Sequence, residues 1–256
     1  MAGWTTTTSA PSGPPDVRSA HRRRRAKPVR AVADDLSPEE RAVRREAVGD
    51  LGSALRDLVD AAVLTEVPVA ELEAVTSATR QLAWRRRAHG RGPQDIATVD
   101  DLATGERWYS PVYGPGNPIA PPMVATDSPD GRATGHVTLG KPHEGPPGLV
   151  HGGVVATLLD HVLARAVRAA GRGGMTATLT VTYLRPVRLG VPLLVTAKVA
   201  DADGRRTTAR ARLVARDDPG STLAEAEGLF VSLRPDVPAD VLPPTGPGGG
   251  DRHDRT

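Results

Sequence analysis

Hydrophobic and polar positions along the chain fall into two kinds of pattern, one repeating near 3.6 residues and one alternating. The first kind opens with LSPEERAVRREAVGDLGSALRDLVDAAV, residues 36–63, where Val43, Val48, Leu51, Leu55, Leu58 and Val59 recur at roughly helical spacing. Ser37 can cap this helix, Pro38 suits its first position, and Glu39 and Glu40 favour the positive end of its dipole. A second helix is predicted over VAELEAVTSATRQLAWRRRA, residues 69–88. Together they predict a helical hairpin extension over residues 35–90, its role left open.

Past residue 105 the pattern changes. ERWYSPVYGPGNPIAPPMVATDS, residues 106–128, is Pro-rich and reads as irregular, and GRATGHVTLGKP after it reads as a short strand. Residues 151–170 form the one strongly apolar helix of this half. MTATLTVTYLRPV then alternates, with Ala177, Leu179, Val181 and Tyr183 on one face and Thr176, Thr178, Thr180 and Thr182 on the other. PLLVTAKVADADG and RRTTARARLVARDD read as a hairpin turning at Asp203-Gly204, and TLAEAEGLFVSLRP as a last strand. Four successive strands without crossover helices cannot be parallel, so the prediction is an α+β domain over residues 91–236, an antiparallel sheet wrapped around one long helix.

That helix raises the functional question. At 100° per residue Val155, Leu158, Leu159, Val162, Leu163 and Ala166 share one stripe, which should face the sheet. Asp160 falls on the opposite side beside the small residues Gly153, Ala156, Thr157 and Ala164, which leave room for a backbone or a ligand. Two readings stay open for it: a carboxylate poised for general-base or nucleophilic work, or a surface Asp on an amphipathic helix. The helix begins His151-Gly152-Gly153, and glycines in a first turn cost roughly 1 kcal/mol each relative to alanine. They leave bare N–H groups at the positive helix end, where the oxygen of an ester or thioester carbonyl can be received. Gly152 and Asp160 are eight residues apart, about 12 Å along a helix axis. One small carbonyl cannot touch both, so joint action predicts a homodimer with two composite sites about a two-fold axis.

Composition narrows the setting. The chain has 256 residues, no cysteine and only 3% aromatics, so neither disulfides nor a thiolate zinc site is available and the core must be aliphatic. No apolar run approaches the roughly 20 residues of a membrane span, and the N-terminus lacks the order of a secretory signal, which leads to a cytoplasmic expectation. Gly and Pro, 27 and 24 of them, gather at the ends, so residues 1–34 and 237–256 are expected to be disordered. The cluster HRRRRAKPVR, residues 21–30, lacks interleaved aromatics and reads as a solvated basic tail rather than a nucleic-acid site.

EGPPGLVHGGVVATLLD, with an Asp nine residues after the His, and the strand TATLTVTYLRPVRLG together resemble the PaaI-type hotdog acyl-CoA thioesterases over roughly residues 115–235. The resemblance implies a hotdog fold and hydrolysis of acyl-CoA without metal or cofactor, by a homodimer whose pairing into tetramers stays open. Position by position it implies that Asp160 is the catalytic carboxylate, that the Gly152 N–H polarises the thioester, and that His151 positions the loop. It implies further that Thr176, reaching across the dimer, orients the attacking water. Gly153 and Thr178 are expected to line the substrate, and Arg185 and Arg188 to meet coenzyme A phosphates. Many members place an Asn or Gln ahead of the His; this chain offers Glu144 instead. A non-catalytic hotdog that binds acyl-CoA is the alternative. Hydratase chemistry is disfavoured, because it pairs the Asp with a His five residues on, where Arg165 stands, and His161 points to a different face.

Overall fold

The computed structural model describes residues 36–87, 90–93, 95–101 and 104–232. The expectations for both tails and the basic cluster lie outside these residues. The architecture is the predicted α+β one. Six antiparallel strands, β1 (Val124–Ser128), β2 (Arg132–Thr138), β3 (Met175–Tyr183), β4 (Pro192–Asp203), β5 (Arg206–Ala215) and β6 (Asp218–Val231), form one sheet in the order β1-β2-β4-β5-β6-β3. Strand β1 was not foreseen. Its Pro-rich approach hides it, and four of its five residues are exposed, so it shows no alternation.

The long helix of the second half, α3 (Gly152–Ala169), lies against one face of this sheet. Its buried residues are the six of the predicted stripe plus Val167. They meet Val137, Leu193, Val195, Leu213 and Phe230 from the strands, giving the aliphatic core that a chain with one Phe must build. The hairpin turn falls where expected, with β4 ending at Asp203 and Gly204 at φ 50°.

The N-terminal helices are α1 (Pro38–Leu64) and α2 (Val69–Arg87). The start of α1 is a capping box: the Ser37 hydroxyl accepts from the Glu40 N–H and the Glu40 carboxylate from the Ser37 N–H. One side of α1 docks on the irregular segment before β1. Gly52 is the buried point of closest approach, where any Cβ would overlap the Pro115 carbonyl oxygen. Arg45 donates to the Val99 carbonyl at 2.8 Å and lies over the Trp108 ring, while Arg56 donates to the Pro115 carbonyl at 3.0 Å. The expected hairpin is not formed: α2 follows after four residues but buries nothing and does not pack along α1. The connecting Thr65–Pro68 contains no glycine to reverse the chain, and α1 leaves through Thr65 in an extended conformation.

Candidate active site

The N-terminus and the middle of α3 carry the two halves of the candidate site. Upstream, a compact loop delivers His151. The His151 N–H donates to the His143 carbonyl at 2.9 Å, Val150 N–H to Val187 at 2.8 Å, and Gly145 N–H to Leu149 at 2.9 Å. Gly145 is required by contact, since a Cβ there would come within 2.8 Å of the His151 Cα. Glu144 braces the same loop: its carboxylate pairs with Lys141 and accepts the Gly148 N–H at 2.8 Å. The Lys141 bond, then the Gly148 bond, hold its pKa below the usual carboxylate range. Both of these partners belong to the loop, so Glu144 is tied down structurally.

His151 is the N-cap of α3, its Nδ1 accepting from the Gly153 N–H at 3.0 Å. That leaves the Gly152 N–H, at the positive end of an 18-residue helix, without an acceptor among the described residues. The Tyr183 hydroxyl donates to the Gly152 carbonyl at 2.9 Å, and its ring lies where a Gly152 side chain would touch it. Tyr183 thus orients the peptide at the helix mouth, a role its place in a Thr-rich strand gave no hint of.

Two turns further on, Asp160 is half-buried on the side of α3 away from the core stripe, and Thr157 and Gly153 on that side are exposed. The Thr176 hydroxyl donates to Asp160 Oδ1 at 2.9 Å. The resemblance implied that this threonine would come from a partner; here it comes from the same chain. A β-bulge explains it. Thr176 pairs with Phe230 and Thr178 with Leu229, so Ala177 is an extra residue that switches the alternation. Thr176 therefore faces α3 with Leu179 and Val181, instead of sharing a face with Thr178, Thr180 and Thr182. The same switch sets Thr178 on the opposite face of the sheet, beside Asp201 and Arg206 and away from Asp160.

The expected phosphate-binding arginines differ. Arg185 donates to the Thr222 carbonyl at 2.8 Å, while Arg188 is exposed and bridged through its backbone to Leu149 in the loop before His151. Behind Asp160, His161 stacks on Tyr113 with centroids 4.4 Å apart. Burial, with Arg165 and Arg168 adding repulsion, lowers its pKa to about 3, so His161 is a neutral packing residue. Among the described residues no group of three His, Asp or Glu could hold a metal, and no helix is long and apolar enough to cross a membrane.

The thioesterase superfamily model matches residues 147–221, from the loop before α3 to the start of β6. A solved crystal structure of a thioesterase superfamily protein is 40% identical, covers 72% of this chain and 94% of its own, and superposes with a TM-score of 0.65. The chain belongs to the thioesterase superfamily. The hotdog fold expected of PaaI-type relatives holds at this level. Among curated proteins, acyl-coenzyme A thioesterase THEM4 of Xenopus laevis is 41% identical over 36% of this chain and 41% of its own length. Human acyl-coenzyme A thioesterase 13 is 31% identical over 27% of this chain and 51% of its own. This superfamily member thus spans between two-fifths and half of the length of these curated relatives.

Proposed function

We propose that the protein hydrolyses acyl-CoA thioesters, with Asp160 as the base or nucleophile and the Gly152 N–H as the oxyanion donor. The observation that carries this reading is the Thr176–Asp160 hydrogen bond on the open side of α3. It holds one carboxylate oxygen and leaves Oδ2 to accept a proton from water, or to attack. Water adds to the carbonyl carbon as its proton passes to Asp160, the carbonyl oxygen gathers charge against the Gly152 N–H, and the carbon–sulfur bond then breaks to release the CoA thiolate. The names of the curated relatives support acyl-CoA as the substrate class.

The separation of Gly152 from Asp160 requires that one reacting carbonyl meet these groups from two copies. Strand β3 offers the means: among the described residues it pairs only with β6 and leaves its other edge free, with Met175 and Tyr183 exposed. Arg188 beside the helix mouth is the arginine suited to a coenzyme A phosphate, and Gly153 lies next to the oxyanion donor. Asp160→Asn should lower turnover on an acyl-CoA panel by at least 100-fold with the fold unchanged. Gly152→Pro removes the single N–H where proline is tolerated, because it is the first helical residue and His151 already has the extended backbone (φ −62°, ψ 133°) that precedes proline. It should cost about 10²–10³-fold in kcat. Full turnover by Asp160→Asn on every acyl-CoA would refute the assignment. Release of free thiol provides the assay.

A further inference from the structure

Helix α2 has no floor. None of its residues is buried, and Leu72, Val75 and Leu82 stand 42%, 45% and 57% exposed. Leu72, Val75, Thr79 and Leu82 recur at alternating intervals of three and four, the spacing of a seam between two packed helices. The Thr79 hydroxyl donates to the Val75 carbonyl at 2.9 Å, so even this polar member satisfies itself within the helix. Helix α1 carries a matching stripe on the side turned away from the body, where Leu51, Ala54, Leu58 and Ala61 are all exposed at the same intervals. Each stripe needs a helix, and the two do not cover one another.

The connector prevents them from doing so within one chain. Thr65 continues away from α1 at φ −73°, ψ 142°, and Pro68 disfavours a helical bend at Val67. We infer that α2 packs antiparallel on α1 of a second copy, each copy's arm covering the other's stripe about a two-fold axis. Charge favours this occupant. Glu46, Asp50 and Asp57 line one flank of the α1 stripe, and α2 ends in Arg85, Arg86 and Arg87. The register that sets Val75 opposite Leu58 and Leu82 opposite Leu51 brings Arg85 and Arg86 beside Glu46 and Asp50. A lipid surface fits less well, because Glu71 and Glu73 interrupt the polar face of α2 where an interfacial helix would carry bases. The inference needs a second copy of the chain but not thioester chemistry.

The absence of cysteine makes the test direct. Full-length Leu51→Cys and Leu82→Cys proteins are co-expressed and oxidised. A disulfide-linked pair in the mixture, and in neither variant alone, is expected. In the double variant Leu51→Cys/Leu82→Cys the expected product is again a cross-linked dimer. A cross-linked monomer, or no cross-link in a protein that sediments as a dimer or a monomer, overturns the inference. Leu72→Glu/Leu82→Glu should weaken self-association at least tenfold with helicity retained; unchanged association, or loss only of binding to anionic phospholipid vesicles, also overturns it. Asp160→Asn should leave the cross-linking pattern unchanged, so this reading and the catalytic one fail separately.

Discussion

Helices α2 and α3 are nearly equal in length, 19 and 18 residues, and opposite in circumstance. Helix α3 buries seven side chains against the six-stranded sheet, whereas α2 buries none. Their sequences differ accordingly. Helix α3 concentrates Val and Leu on one side and leaves the other to Gly, Ala, Thr and one Asp. Helix α2 scatters four alanines around its circumference, and its narrow seam of Leu72, Val75 and Leu82 stands apart from the still more exposed Val69 and Trp84. A wide stripe serves a sheet, while a narrow one serves a single helix. Amphipathic width, more than helix propensity, separates the element that organises the fold from the one that projects from it.

Substitutions can sharpen that contrast. Leu159→Ala, in the completely buried stripe, should cost about 2–5 kcal/mol in chemical denaturation, because the close-packed sheet above it cannot collapse into the cavity. A loss below about 1 kcal/mol would mean that α3 is not the organising element. Next comes His161, half-buried and neutral with its pKa near 3 while the unfolded chain's histidine titrates near 6.5. Between those values the unfolded state binds the extra proton, so stability should fall as pH drops from 6.5, by up to about 3 kcal/mol at pH 4. His161→Leu should flatten that acid limb; an unchanged slope would put the acid sensitivity elsewhere. Ser37→Ala removes the cap of α1 and should cost about 1 kcal/mol, read as faster proteolysis near residue 38. Leu72→Ala on α2 should change the stability of the isolated subunit by less than about 0.5 kcal/mol, as for an exposed site. A larger loss at a concentration where the protein is monomeric would show α2 to be packed within its own chain.

The features legible in the sequence were those set by local periodicity. The α3 stripe from Val155 to Ala166, the turn at Asp203-Gly204 and the Ser37 cap each depend on residues a few positions apart. What escaped depended on pairing between distant segments. The bulge at Ala177 arises from the register of β3 against Phe230 and Leu229, more than fifty residues away, and it alone decides that Thr176 meets Asp160 while Thr178 does not. Strand β1 owes its existence to β2, not to any pattern of its own. At the site, the His-Gly-Gly start and Asp160 were visible as expensive residues in a helix. Tyr183 was not, because a tyrosine in a strand needs no special explanation until its hydroxyl is seen on the Gly152 carbonyl.

Placing the proposed oxyanion donor, Gly152, and the proposed catalytic carboxylate, Asp160, two turns apart on one rigid rod has a genetic corollary. In the two-copy arrangement, a subunit carrying Gly152→Pro and one carrying Asp160→Asn each ruin both sites of their own homodimer. Paired with each other, they confine both lesions to a single site and leave the other wholly wild type. Mixing the two inactive proteins under conditions of subunit exchange should restore about a quarter of the original sites.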